Sequence, residues 1–325
     1  MLQFTLPGKM KILVTGGAGF IGSHLVQALL ARGDDVSVID DFNDFYDPAV
    51  KRKNLGEVHR PIRLHEGDIC DKRTVLDTIS RERPDVIVHL AARAGVRPSV
   101  QSPELYLQTN VMGTFNLLDA ARQCGVARFV FASSSSVYGA SREVPFREDQ
   151  ALTQTLSPYA GTKIAGEHLC SNYSNLYGLR VVCLRLFTVY GPRQRPDLSI
   201  HKFTNLIYHA KPIEVYGDGT ARRDFTYIDD TVQGIMASLG YNGSAFEVFN
   251  LGENQTVELK TMIAEIERAL GKKATIQFQP PVPGDMPQTY ADISKARKLL
   301  GYHPTTTIQI GIPKFVDWYL TSRKR

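Results

Sequence analysis

The chain has 325 residues, 43% of them hydrophobic and 22% charged, and carries a formal net charge of +5. That composition is ordinary for a globular protein, and the length allows a large core and two unequal lobes. No apolar stretch approaches the roughly 18 uncharged residues of a membrane span, and the basic residues are spread rather than gathered in a tract, which speaks against a membrane protein and a nucleic-acid binder.

Strands and helices alternate from the start. Ile12, Leu13 and Val14 read as a buried parallel strand. Gly16, Gly19 and Gly22 follow at G-x-x-G-x-x-G spacing. Phe20, Ile21, Leu25, Val26, Leu29 and Leu30 then recur at helical spacing, so a helix opens inside the glycine run. Strand, glycine turn and helix together are the context of a dinucleotide site. Gly16 permits the tight turn, Gly19 lets the backbone approach a pyrophosphate at the helix N-terminus, and Gly22 lets helix and strand pack closely. A second strand, Val36–Ile39, ends in Asp40, 18 residues beyond Gly22. A carboxylate there accepts the adenosine ribose hydroxyls and repels a 2′-phosphate, so the cofactor is read as NAD rather than NADP.

Ile62–Ile69 reads as the third strand, ending at Asp68, where an acid meets the adenine amino group; Thr74–Ser80 is a short helix. Val86–Leu90 is the fourth strand. The small residues Ala91, Ala92, Ala94 and Gly95 after it let the backbone pass close to a ribose and nicotinamide. Leu105–Cys124 reads as one long helix that contains Asn110 and stops at Gly125. Phe129–Ala132 is the fifth strand, with Ser133–Ser136 at the carboxyl end, where open parallel sheets bind ligands. A helix from Pro158 to about Tyr177 and a sixth strand, Val181–Leu186, follow.

Beyond this the repeated pattern loosens. Gly191–Asp197 is a loop, Phe203–His209 a helix, Ile213–Tyr216 a strand, Leu259–Leu270 an amphipathic helix, 280–287 a proline-rich loop and Ser294–Leu300 a helix. The expected fold is α/β: a Rossmann doubly wound parallel sheet over residues 1–186, with returning segments from about 225–255. A smaller C-terminal α/β lobe over 187–325 is expected to bind the substrate.

Tyr159 and Lys163 are four apart, one turn along one helix face. An ammonium beside a phenol stabilises the phenolate, and is expected to pull the tyrosine from its ordinary value of about 10 towards neutrality. That makes Tyr159 a general base for a sugar hydroxyl. Lys163 is also placed to hold the nicotinamide ribose. Ser134, 25 residues before Tyr159 at a strand end, can relay or share the proton.

The glycine run with Asp40, the serine run before Val137-Tyr138-Gly139, and Tyr159-x-x-x-Lys163 resemble the extended short-chain dehydrogenase/reductase family over nearly the whole chain. Asp40–Pro48 (DDFNDFYDP), His89–Ser99 (HLAARAGVRPS), Phe187–Asp197 (FTVYGPRQRPD) and Gly217–Asp230 (GDGTARRDFTYIDD) look like the nucleotide-sugar 4-epimerases, and within them the UDP-glucuronate 4-epimerases. Pro283-Gly284-Asp285 through Ala291–Ala296 resembles that family's nucleotide-binding tail.

The resemblance implies tightly held NAD and epimerisation of UDP-glucuronate at C4 through a 4-keto sugar, with Tyr159, Lys163 and Ser134 catalytic; no metal is expected, because the cysteines lack ligand spacing. The cofactor wall would comprise Gly16, Gly19, Phe20, Ile21, Gly22, Asp40, Asn43, Asp68, Ile69, Leu90, Ala91, Ala92 and Asn110 besides Tyr159 and Lys163. Related dehydratases and UDP-glucuronate decarboxylases carry an acid just before Val-Tyr-Gly; Ser136 stands there, which argues against both. UDP-glucose 4-epimerases have Asn where Thr188 stands, and Thr188 suits a glucuronate site.

The sugar carboxylate needs a partner, since burying it alone costs several kcal/mol. Arg195 is the choice, because a guanidinium matches a carboxylate with two donors. Arg97 and Arg193 are its rivals. Arg223 is expected to face the diphosphate, with Arg222 as the alternate, and Ser135 and Ser136 to contact the sugar. Tyr216 would pack near uracil or in the core. Asp285 would bind the uridine ribose, although Val282 stands where related glucose epimerases carry an arginine phosphate contact.

The family's members dimerise through two helices, here Leu105–Cys124 and Tyr159–Tyr177, whose apolar faces read equally as core. A homodimer is expected. The first ten residues lack the charge and apolar run of a signal peptide, and Met10 is a candidate start. Cys70, Cys124, Cys170 and Cys183 form no C-x-x-C pair, which fits a reducing cytoplasm. The competing functions are a 4-epimerase for UDP-glucose or another UDP-sugar, a UDP-glucuronate decarboxylase, and a catalytically silent NAD-binding regulator.

Overall fold

A computed structural model describes residues 8–58, 60–280 and 286–323. Its strands are β1 (Lys11–Thr15), β2 (Asp35–Asp40), β3 (Arg63–Glu66), β4 (Val86–His89), β5 (Arg128–Ser134), β6 (Arg180–Leu186), β7 (Thr188–Tyr190), β8 (Ile213–Tyr216), β9 (Arg222–Tyr227), β10 (Phe246–Leu251), β11 (Thr256–Glu258) and β12 (Ile276–Gln279). Helices of the first half are α1 (Phe20–Arg32), α2 (Pro48–Gly56), α3 (Lys72–Glu82), α4 (Val96–Gln101), α5 (Pro103–Tyr106), α6 (Gly113–Gln123) and α7 (Pro158–Tyr177). Those of the second half are α8 (Ser199–Tyr208), α9 (Ile228–Leu239), α10 (Leu259–Leu270), α11 (Ser294–Leu300) and α12 (Ile308–Ser322).

Seven parallel strands form one sheet in the order β10-β6-β5-β4-β1-β2-β3. The order reverses between β1 and β4, and a ligand crevice opens at the carboxyl ends beside that reversal. Side chains alternate across the sheet. Ile12 and Val14 of β1 join the core beneath α1, whereas Leu13 joins the core with Leu117, Phe129 and Val181 on the opposite face. The α1-side core runs without a break into Ile213, Met262 and Phe315 of the second half. There β11-β9-β7 form a three-stranded sheet and β12-β8 a two-stranded one. Among the described residues, no helix is long and apolar enough to cross a membrane.

Several elements depart from the sequence reading. β3 is only Arg63–Glu66, so Asp68 lies in the turn beyond it, accepting the Cys70 N–H at 2.8 Å. α3 starts earlier because Asp71 caps it, accepting the N–H groups of Arg73 and Thr74. The expected helix 105–124 is interrupted by a π-helical turn over Leu107–Met112, which brings Asn110 against the segment after β4. The second half holds more structure than the sequence reading named, such as β7, β9, β11, β12, α9 and α12, while β10 on the edge of the main sheet lies in the span expected to return to it.

Candidate active site

The glycine run is built for close approach. Gly16 sits at φ +70°, and a Cβ there would fall 2.7 Å from the Ala91 nitrogen. A Cβ on Gly22 would fall 2.1 Å from the Gly16 carbonyl oxygen, so only glycine lets α1 start this near β1. Gly19 caps α1 without a side-chain hydrogen bond, which leaves first-turn N–H groups open to an anion. These features fit a dinucleotide pyrophosphate. Asp40, at the end of β2, accepts the Ala18 and Phe42 N–H groups at 3.0 Å each. Burial pushes its carboxyl above the usual range, opposed by those bonds and by Lys51.

The opposite wall is held from behind. The Ala91 N–H donates to Thr15 Oγ1, which also meets His89 Nδ1 at 2.7 Å. His89 Nε2 meets Thr114 Oγ1 at 2.9 Å, and that hydroxyl donates to the Asn110 carbonyl. Burial, then Lys163, lowers the His89 pKa to about 3, so this relay is neutral. Asn110 departs from its expected place facing the cofactor. Its amide accepts from the Arg93 N–H and donates to the Arg93 carbonyl and Thr162 Oγ1, so it buttresses the wall without lining the cavity.

A cavity of about 460 Å³ runs along these residues. Gly16, Gly19, Phe20, Ile21, Gly22, Asp40, Asn43, Asp68, Ile69, Leu90, Ala91 and Ala92 line it, and so do Ser134, Ser135, Ser136, Tyr159, Lys163, Thr188 and Arg195. Residues far apart in sequence thus share one crevice at the carboxyl ends of β1, β2, β4, β5 and β6.

Lys163 is 4% exposed and donates to the Ala132 carbonyl at 2.7 Å. Burial lowers its pKa to about 8. Its ammonium is 6.0 Å from the Tyr159 ring centre, and it does not pull the phenol down as the sequence reading expected. Burial instead raises the Tyr159 pKa, and the groups opposing that rise are the Ser134 hydroxyl and the Arg195 guanidinium. Ser134 starts the short 3₁₀ turn Ser135–Tyr138, where its Oγ accepts the Ser136 N–H at 3.2 Å.

Arg195 reaches the cavity from the loop after β7. Asp197 takes its Nε at 3.0 Å and its Nη2 at 2.7 Å, and the guanidinium lies 5.1 Å from the Phe45 ring centre. Arg193 points the other way, to Glu57, Gln27 and Ser23, which removes it as a rival for a ligand. Arg97 and Tyr216 meet each other as a cation–π pair at 4.4 Å and do not line the cavity. Arg223 on β9 is also off the lining, with Nη1 donating to the Arg222 carbonyl. Arg222 bonds Thr256 and Glu258 across the small sheet. Asp285 and Val282 lie outside the described residues.

Sequence reading missed Phe45, Tyr46, Lys51, Arg93 and Asp197 on the lining. Phe45, Tyr46, Arg93 and Asp197 lie inside segments that carry the family resemblance. Lys51 gave no signal: it is buried on α2, 4.0 Å from Asp40 and 3.9 Å from Asp41.

A family model described as GDP-mannose 4,6 dehydratase matches residues 13–315. A UDP-glucuronate 4-epimerase of Thermodesulfobacterium geofontis is 42% identical over 309 residues, 94% of this chain and 95% of that protein. The solved UDP-glucuronic acid 4-epimerase from Bacillus cereus, in complex with UDP-glucuronic acid and NAD, is 40% identical with a TM-score of 0.91, covering 96% of this chain and 100% of that one. The UDP-glucose 4-epimerase of Thermus thermophilus, solved with NAD, is 34% identical with a TM-score of 0.87, covering 95% and 98%. The chain belongs to the extended short-chain dehydrogenase/reductase family of nucleotide-sugar epimerases and dehydratases.

Proposed function

We propose that the chain is an NAD-dependent UDP-glucuronate 4-epimerase, interconverting UDP-glucuronate and UDP-galacturonate. The observation that carries this reading is that Ser134, Tyr159, Lys163 and Arg195 line one cavity, beside a glycine cradle for NAD.

The chemistry that bound NAD supplies is reversible acceptance of the C4 hydride, together with a positive ring charge that favours a nearby phenolate. Tyr159 Oη takes the 4-hydroxyl proton and returns it after the 4-keto sugar has turned over. Ser134 Oγ shares that proton and lowers the cost of the phenolate. Lys163, fixed on the Ala132 carbonyl, holds the nicotinamide ribose. Asp40 takes the adenosine ribose. Arg195 takes the sugar carboxylate, with Thr188 and the Ser135 and Ser136 hydroxyls around the sugar. Ser136 stands where dehydratases and UDP-glucuronate decarboxylases carry an acid, so on this reading the ketone is returned to an alcohol with its carboxylate intact.

Residues 1–186 with about 225–255 form the NAD lobe, and 187–325 mainly bind the UDP-sugar. The protein is a cytoplasmic homodimer on this reading. Free thiols at all four cysteines fit that compartment. Leu105, Leu107 and Met112 are 49–54% exposed, and Leu176 and Tyr177 at the end of α7 are 72% and 54% exposed, an apolar surface suited to a second copy.

The test is incubation of the purified protein with UDP-glucuronate, with products read by proton NMR, alongside an Arg195→Ala variant. UDP-galacturonate should accumulate to a fixed ratio without CO2, and Arg195→Ala should weaken UDP-glucuronate far more than UDP-glucose. A UDP-pentose product, or equal weakening of both sugars, contradicts the assignment.

A further inference from the structure

Arg193 is a non-glycine residue in the left-handed region, at φ +63°, two positions before Arg195. Such a backbone costs about 1 kcal/mol and persists where surrounding contacts over-determine it. Here they do. Arg193 is 8% exposed, and its guanidinium donates to Glu57 Oε2 at 3.0 Å, Gln27 Oε1 at 2.8 Å and Ser23 Oγ at 3.5 Å. Ser23 and Gln27 belong to α1, the helix that opens at the glycine cradle. Next to it, His24 Nε2 meets the Pro192 carbonyl at 2.9 Å. On the other side Gln194 is tied to the Val189 carbonyl and to His201. The loop that presents Arg195 is therefore clasped to the dinucleotide helix through Arg193.

We propose that Arg193 is a positioning residue for carboxylate recognition: it fixes Arg195 relative to α1, and hence the acidic sugar relative to the dinucleotide. This rests on the reading that Arg195 takes the sugar carboxylate. Arg193 acts from behind the cavity wall, where its guanidinium is engaged by protein groups of α1 and Glu57. A neutral sugar, which makes no use of Arg195, is indifferent to the clasp. A lysine at 193 keeps the charge but loses the fork that serves three partners at once.

The experiment uses the purified holoprotein and measures dissociation constants for UDP-glucuronate and UDP-glucose by calorimetry, with kcat and KM on UDP-glucuronate. It compares Arg193→Met, Arg193→Lys and the milder Glu57→Gln, each alone and with Arg195→Ala. Arg193→Met should weaken UDP-glucuronate about tenfold, the effect of about 1.4 kcal/mol, and UDP-glucose less than about twofold. Arg193→Lys and Glu57→Gln should shift the same preference by less. In the Arg195→Ala background the Arg193 effect should vanish, since a residue acting through another shows coupling in a double-mutant cycle. Equal losses on both sugars, or a full additional loss in the Arg195→Ala background, overturns the proposal. If Arg195→Ala alone leaves the preference for the acidic sugar intact, the Arg195 reading fails first and this one with it.

Discussion

Glu167 and Arg185 form a two-pronged ion pair, Oε1 to Nε at 2.9 Å and Oε2 to Nη2 at 2.8 Å, with both side chains under 10% exposed. It joins α7 to β6. Ser133, the neighbour of Ser134, donates to the same carboxylate at 2.5 Å, and Arg185 continues to the Tyr138 hydroxyl and through it to Asn250. The helix carrying Tyr159 and Lys163 is thus pinned to the strand end carrying the serine. Removing one partner of a buried pair typically costs about 3–5 kcal/mol because the other charge is left unpaired. Glu167→Gln should lower unfolding free energy by roughly that amount in urea titration. A change below about 1 kcal/mol would mean that Arg185 finds another partner.

Tyr159→Phe keeps the ring and its edge contact with Tyr106 while removing the hydroxyl. The variant should hold NAD as the parent does, by absorbance after denaturation. Its turnover should fall by about 10²–10⁴, the usual worth of a positioned proton carrier.

Gly22→Ala tests the cradle. A methyl group 2.1 Å from the Gly16 oxygen forces α1 away from the turn. Stability should drop by roughly 1–3 kcal/mol, and NAD should be lost on gel filtration, whereas Gly33→Ala, with nothing within 4 Å but a φ of +95°, should cost stability alone.

His24 sets part of the acid limit. Burial first, then Arg193, lowers its pKa to about 4, against an ordinary 6.5. Between those values the unfolded chain holds more protons, so stability is full above pH 6.5 and is lost as pH falls towards 4. At about 1.4 kcal/mol per pH unit, the loss is about 3 kcal/mol. His24→Gln, which keeps a donor for the Pro192 carbonyl, should flatten the stability profile between pH 4 and 6.5. His89 behaves in the same sense down to its value of about 3.

Much of the cofactor half was legible because its signals are local. β1, the glycine turn and α1 follow one another directly, and the limits of α7 and α10 match the sequence reading. The places of β1 to β6 follow from alternating strands and helices, whereas β10 joins the edge of that sheet from the second half. The substrate half was less legible because its strands are short and pair over long separations, as β12 does with β8 and β9 with β7. No local period announces such pairing. Within the site, residue type was readable but direction was not. Asn110 turns to Arg93, and Arg97 turns to Tyr216. Lys163 sits at helical spacing from Tyr159 yet aims at Ala132, a choice made by the β5 carbonyl it meets and not by its own helix.

Epimerisation in this cavity requires that C4 of the sugar give up and recover its own hydrogen without exchange with water. The direct test is turnover of UDP-glucuronate deuterated at C4, with the product read by proton and deuterium NMR. The expected product is UDP-galacturonate that retains deuterium at C4 in normal water. Product carrying solvent hydrogen at C4, or a product lacking its carboxylate, would contradict the mechanism.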